Sequence, residues 1–201
     1  PQETVAALMR IDGLIHRMGE ITKQLKSFAR KNTESFVPLN FNDAILEAMS
    51  IMEPQLKQSG IKIDTNIPSE PVLIVGDQQR LEQVIINLIR NAIDALDDTE
   101  LPSITISLYK NNSVRFSIRD NGKGINNLEK LFEPFQTSKD PGKGLGLGLA
   151  ISSNIISELG GSLSGENLTP TGAEFTIKLP LFDPSRVNVV EENQTKMRET
   201  L

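Results

Sequence analysis

Four clusters of residues in this chain have the composition of a ligand site. The first is Asn87-Leu88-Ile89-Arg90-Asn91-Ala92-Ile93-Asp94-Ala95, where Asn87, Asn91 and Asp94 recur at i, i+4 and i+7 and share one helical face. Such a polar stripe is commonly just the solvated side of a helix. Asn is a poor helix-interior residue, however, and two of them one turn apart on an apolar helix suit oxygen ligation of a hard cation, or donation to a ligand. The second is Asp120-Asn121-Gly122-Lys123-Gly124, directly after a strand pattern. It reads either as a plain Asp-Gly turn or as a carboxylate held at a strand end beside glycines that let the backbone approach a ligand. A carboxylate so placed accepts a hydrogen bond from a donor such as an exocyclic amine. The third is Gly142-Lys143-Gly144-Leu145-Gly146-Leu147-Gly148, directly before a helix pattern. Alternating glycines expose backbone N–H groups at a helix N-terminus, which is a phosphate cradle in general physics. Leu145 and Leu147 do not suit a plain linker, and without a Gly-Lys-Ser/Thr triplet the run is not a P-loop. The fourth is Leu131-Phe132-Glu133-Pro134-Phe135, followed by Thr137-Ser138-Lys139. Its aromatics are ordinary anchors or the fastening of a lid, and Lys139 and Lys143 would reach a polyphosphate if that lid closed.

These clusters need elements to hold them. Asp77 is placed to cap a helix running to about Leu96, with Leu81, Val84, Ile85, Leu88, Ala92 and Ala95 facing inward, and this helix carries the first cluster. Before it, an amphipathic helix over Asn42–Ser59 stops at Gly60. Ile61, Ile63 and Thr65 alternate as a strand, and Val72–Val75 is a short buried strand. Ile104, Ile106 and Leu108, then Val114, Phe116 and Ile118, form a hairpin around Lys110-Asn111-Asn112-Ser113, which ends at the second cluster. From Asn121 to Gly148 the chain is a long Gly-rich loop with one helical turn near Leu128–Leu131. A loop of that length inside a compact domain suggests a lid or binding segment. A helix over Leu149–Leu159 stops at Gly160-Gly161. Two strands, Ser162–Ser164 and Glu174–Leu179, close the pattern around a Thr169-Pro170-Thr171-Gly172 turn. The strands gather mainly on one side of the helices. The expected fold is therefore α/β, a two-layer sandwich of a mixed β-sheet packed on about three helices.

Ahead of this unit, Thr4–Lys31 has a heptad-like apolar stripe through Leu8, Ile11, Ile15, Met18 and Leu25, weakened only by Gly13 and Gly19. It is either a helix packed on its own domain or, as the wide stripe favours, one long bundle-type helix that needs a partner. The expected organisation is residues 1–35 as that helix, 36–182 as a ligand-binding domain, and 183–201 as a polar tail.

Composition narrows the chemistry. The 201 residues are 38% hydrophobic but only 4% aromatic, with one Tyr and no Trp, so the core must be aliphatic. The net charge of -5 and pI of about 5.1 argue against a nucleic-acid-binding face. With no Cys, disulfides, thiolate metal sites and a Cys nucleophile are excluded. No apolar run reaches the ~18 residues of a membrane helix. The first residue is Pro, so we expect a piece of a longer protein.

In order and spacing the four clusters resemble the N, G1, F and G2 boxes in the catalytic, ATP-binding domain of sensor histidine kinases, within the superfamily that includes gyrase and certain chaperones. The resemblance covers about residues 1 to 182. Leu25-Lys26-Ser27-Phe28-Ala29-Arg30-Lys31, with Gly144-Leu145-Gly146-Leu147-Gly148-Leu149-Ala150-Ile151-Ser152, looks closest to the C4-dicarboxylate transport sensors. It implies that Asp120 bonds the adenine amino group of ATP, with Gly122 and Gly124 shaping the pocket, and that Asn91 holds Mg²⁺ with Asn87 beside it on metal or phosphate. Gly144, Gly146 and Gly148, with Leu145 and Leu147 between them, approach the phosphates. Lys139 and Lys143 lie in a lid from Phe132 to Leu147, and Thr176 touches the base through water.

The resemblance also implies homodimerisation through the N-terminal helix, a response-regulator receiver domain as partner, and a cytoplasmic location below a membrane-anchored parent. His16, the only His, is followed by Arg17-Met18-Gly19-Glu20 rather than by the acidic residue and Pro of the family's acceptor box. The phospho-acceptor is therefore expected on a preceding helix, before Pro1. Where the wider superfamily places a water-activating Glu, one turn before the metal-binding Asn, this chain has Asn87. Glu82 lies five residues earlier, pointing in a different direction. Transfer to an acceptor is thus expected over a water-directed ATPase. A nucleotide-binding interaction module without catalysis is a further alternative.

Overall fold

A computed structural model describes Gly19 and residues 37–136 and 146–183. The expected long helix (Gly19 apart, which is helical), the stretch 137–145 and all but the first residue of the tail lie outside the described residues. Among the described residues of 37–183, ten elements follow in order: β1 (Val37–Asn40), α1 (Phe41–Gln58), β2 (Lys62–Asn66), β3 (Leu73–Gly76), α2 (Gln78–Ala95), β4 (Ser103–Lys110), β5 (Val114–Asp120), α3 (Gly148–Glu158), β6 (Ser162–Asn167) and β7 (Ala173–Leu179).

Five strands form one sheet in the order β2-β4-β5-β7-β6. The β2–β4 pair is parallel and the others are antiparallel, so the sheet is mixed. Its alternation decides which side is core. Ile104, Ile106 and Leu108 on β4 pair with Asp120, Ile118 and Phe116 on β5, which pair in turn with Ala173, Phe175 and Ile177 on β7. All of these are buried, and they form the helix-facing side. The residues between them, such as Arg115, Arg119 and Lys178, point to the open face. Phe41 of α1 meets Phe116 of β5 with ring centroids 5.3 Å apart, one of few aromatic contacts in a core of Ile, Leu and Val.

Helix α2 is the spine of the helical layer. Leu81, Val84, Ile85, Leu88, Ile89, Ala92 and Ile93 are buried along it. Asp77 caps it as expected, its side chain accepting from the N–H of Arg80 at 3.0 Å. At the far end Ala95 is only half-buried, because Leu96 takes the last inward position. Helix α3 packs against α2, and the Arg80–Glu158 ion pair at 2.6 Å ties the start of α2 to the end of α3.

Two features depart from the expected pattern. Val37–Asn40, unread as a strand, pairs antiparallel with β3 in a separate two-stranded ribbon, so β3 is not part of the main sheet. The turn expected near Leu128–Leu131 has bonds from Leu131 N–H to Leu128 O (3.4 Å) and Glu133 N–H to Lys130 O (3.1 Å) without becoming a helix.

Candidate functional site

Asp120 is the last residue of β5 and is 2% exposed, on the helix-facing side of the sheet. Its Oδ1 accepts from the N–H of Gly122 at 2.9 Å and from the N–H of Ala173 at 3.3 Å. Burial pushes the carboxyl above its usual range, and the two backbone donors pull it back in part. Both bonds fall on one oxygen. Oδ2 takes none among the described residues, where no fully buried side-chain polar atom lacks a partner, so Oδ2 opens outward. The carboxylate is fixed by one oxygen and offers the other.

The loop after Asp120 is pressed against α2. A Cβ on Gly122 would lie 2.2 Å from the carbonyl oxygen of Ala95, and the N–H of Lys123 donates to that same oxygen at 3.1 Å. Only glycine permits the approach. Gly124 has φ +75°, and the following residue is clamped at both ends: Asn167 Oδ1 accepts from the N–H of Ile125 at 2.6 Å, and Asn167 Nδ2 donates to its carbonyl at 2.9 Å.

The Gly-rich cluster meets α2 about two turns earlier. A Cβ on Gly148 would sit 2.3 Å from Asn87 Oδ1. Asn87 Nδ2 donates to the hydroxyl of Ser152, one turn into α3, at 3.0 Å. Helix α3 starts without a side-chain cap, leaving its first N–H groups for a ligand. Leu147 is 2% exposed and belongs to the core, so only its backbone can face a ligand. Gly146, with φ +67°, lies against the backbone of Gln136. Lys139, Lys143, Gly144 and Leu145 lie outside the described residues. Of the fourth cluster, Leu131 and Phe132 pack against the core, while Phe135 is 68% exposed.

Helix α2 therefore joins two places: the Asp120 loop at Ala95 and the start of α3 at Asn87. Eight helical residues span about 12 Å. Asn91 lies midway, half-buried on the same face, and its side chain makes no hydrogen bond among the described residues. No group of three or more His, Cys, Asp or Glu that could hold a metal ion occurs among the described residues. Asn91 offers an amide oxygen, a hard ligand type.

The structure does not bring Thr176 to this site. Thr176 pairs with Ser117, and Ala173 pairs with Asp120, so Thr176 lies three residues away along β7 and on the opposite face of the sheet, where it is buried. The β7 residue that touches Asp120 is Ala173, through its backbone. Sequence reasoning also missed Ser152, Asn167 and the Ala95 carbonyl. Backbone donors and acceptors leave no mark in a sequence. Ser152 does leave a faint one, a hydroxyl one turn after Gly148 on an otherwise apolar helix face.

Residues 76–183 match the family described as histidine kinase-, DNA gyrase B-, and HSP90-like ATPases. Among curated proteins, the chain is 36% identical over 186 residues to the two-component sensor PprA of Pseudomonas aeruginosa, covering 89% of this chain and 20% of that protein. It is 34% identical over 183 residues to the C4-dicarboxylate transport sensor protein DctB of Rhizobium meliloti, covering 88% and 29%. The chain thus spans less than a third of the length of either. Among solved structures, the nucleotide-free catalytic domain of histidine kinase ThkA superposes with a TM-score of 0.65 at 33% identity, covering 74% of this chain and 99% of that one. ThkA in complex with the response regulator TrrA gives 0.70 at 28% identity, covering 86% and 49%. Full-length ShkA in complex with AMPPNP gives 0.72 at 26% identity, covering 90% and 38%. No helix among the described residues is long and apolar enough to cross a membrane.

Proposed function

This chain belongs to the histidine kinase-, DNA gyrase B- and HSP90-like ATPase family, and on that premise we propose that it is the catalytic, ATP-binding portion of a sensor histidine kinase. The observation that carries the reading is Asp120. A buried carboxylate with one oxygen held by two backbone N–H groups and the other open is built to accept a hydrogen bond from a ligand. In this reading it takes the adenine amino group, beside the backbone at Gly122 and Gly124. The first N–H groups of α3, with Gly144, Gly146 and Gly148, receive the phosphates. Lys139 and Lys143 add positive charge there.

Asn91 would hold Mg²⁺, which when bound would neutralise polyphosphate charge. The protein's part in phosphoryl transfer is positioning and electrostatics. The place one turn before Asn91 is taken by Asn87, whose amide is bonded to Ser152 and cannot accept a proton from water. That favours transfer to a histidine nitrogen over hydrolysis. His16 lacks the acceptor-box neighbours, so the acceptor is a histidine on another helix of the parent protein. A response-regulator receiver domain is the onward partner, supported by the ThkA–TrrA complex. The heptad-like apolar stripe in the sequence of 4–31 supports a homodimeric parent, which in this reading is membrane-anchored with this portion in the cytoplasm.

Calorimetric titration with AMPPNP, with Mg²⁺ and with EDTA, tests the reading. Binding that strengthens with Mg²⁺ is expected, together with no ³²P label on the chain from γ-labelled ATP. A native chain that stays unliganded at millimolar AMPPNP refutes the nucleotide site, and label on His16 refutes the separate acceptor.

A further inference from the structure

We propose that Ser152 is a positioning residue for the nucleotide site, and that Asn87 serves as the strut between α2 and α3 rather than as a metal ligand. The inference rests on the nucleotide reading above for its functional consequence, though not for its geometry.

The Asn87 amide is hydrogen-bonded through its nitrogen and packed against the start of α3 through its oxygen. Nδ2 donates to Ser152 Oγ at 3.0 Å, and Ser152 is 2% exposed. Oδ1 lies where a side chain on Gly148 would have to go. Glycine at 148 therefore serves a packing purpose as well as a phosphate-facing one: it makes room for the amide. A metal ligand needs a free oxygen turned to the ligand, and this amide is turned into the helix–helix seam. Asn91, one turn further along α2, has no such partner among the described residues and is left as the amide available for Mg²⁺.

The bond joins two elements that carry opposite parts of the site. Helix α2 carries Asn91 and, at Ala95, the anchor for the Asp120 loop. Helix α3 carries the Gly-rich start. A second cross-tie in this seam, Arg80–Glu158, sits at the opposite end, at the beginning of α2 and the end of α3. It cannot fix the angle at which the α3 N-terminus meets Asn91. The Asn87–Ser152 bond is at the end that matters for the ligand, so losing it lets the phosphate-facing N–H groups drift relative to Asn91.

The test compares the native chain with S152A, N87A and the double variant in two measurements. In the first, AMPPNP affinity is read by calorimetry with Mg²⁺ and with EDTA. S152A is expected to weaken binding about fivefold in both conditions, the ratio set by one neutral hydrogen bond. It is expected to have less than a twofold further effect in the N87A background, because the two changes remove the same contact. In the second, exchange of the hydrogen-bonded α3 amides from Ile151 onward is followed without ligand, and both single variants are expected to accelerate it. Three results overturn the proposal: native affinity in S152A, a full fivefold loss persisting in the N87A background (a packing role only), or an N87A chain that loses the Mg²⁺-dependent gain while S152A keeps it, which makes Asn87 a ligand. If the native chain binds no AMPPNP, the nucleotide reading fails, and the exchange measurement still decides whether the Asn87–Ser152 strut exists; unchanged exchange in both variants removes it.

Discussion

Asp120→Asn separates the two oxygens of the carboxylate. Both backbone bonds fall on Oδ1, an atom that Asn keeps, so the links to Gly122 and Ala173 survive. Oδ2 becomes an NH₂ group, which faces a ligand amine as donor against donor. A hydrogen bond to a charged acceptor contributes about 1.5–3 kcal/mol, and leaving the ligand donor unsatisfied costs about 1–3 kcal/mol more. The expected loss is about 3 kcal/mol or more, roughly a hundredfold in Kd for AMPPNP. Stability behaves differently, and its pH dependence has a definite sign. Burial raises the native carboxyl above its ordinary value of 3.8, so between 3.8 and the raised value the folded chain binds more protons than the unfolded one. The Asp120 contribution to native stability is therefore full below 3.8 and is lost as pH rises through the raised value. The Asn variant has no such loss. Urea midpoints measured from pH 3.5 to 7 should shift in favour of the variant across that window. A folded Asn variant that binds AMPPNP within threefold of the native chain refutes Asp120 as the adenine acceptor. A midpoint difference that moves the other way refutes burial as the dominant influence on its titration.

Other perturbations reach the site through different elements. Gly122→Ala drives a methyl into the Ala95 carbonyl, backbone against backbone, and should cost about 1–3 kcal/mol of stability, read as a lower Tm, along with weakened AMPPNP binding. Leu88→Ala removes a side chain with no exposed surface from the centre of α2 and should cost about 2–5 kcal/mol by urea titration. Asn91→Ala should leave the EDTA affinity for AMPPNP within about twofold, a change of ~0.4 kcal/mol, while removing the gain that Mg²⁺ gives; a retained gain would place the cation elsewhere.

The parts of this molecule legible from sequence are those whose signal is local. Helix α2 shows its cap at Asp77 and a sustained inward periodicity, so its start, end and polar stripe all follow from neighbouring residues. The β4–β5 hairpin likewise declares itself through alternation and a short polar turn. The ribbon of β1 and β3 was not legible: Val37-Pro38-Leu39-Asn40 is four residues long with a Pro inside, and becomes a strand only because β3 lies beside it. Thr176 was misplaced for a related reason. Its distance from the end of the strand was readable, but whether it faces Asp120 depends on the parity of pairing across β5 and β7, and a shift of one residue reverses every side chain. The Asn87–Ser152 bond joins residues 65 positions apart, and its local trace is no more than the Ser152 hydroxyl on an apolar helix face.

That same non-locality bears on how the site is assembled. Asp120 is held by a backbone donor 53 residues later in the chain, at the start of β7, so its carboxylate is not aimed until the sheet has closed. Asn91 is aimed by α2, which the Asp120 loop grips at Ala95 and α3 grips at Asn87. Neither end of the site can be ordered without the core between them, since Leu88, Ile89 and Ala92 fill the space between those two grips. Nucleotide binding should therefore report on the integrity of the whole domain. A core variant such as Leu88→Ala is expected to lose affinity in step with the folded fraction, whereas Asp120→Asn and Ser152→Ala lose affinity while the domain stays folded.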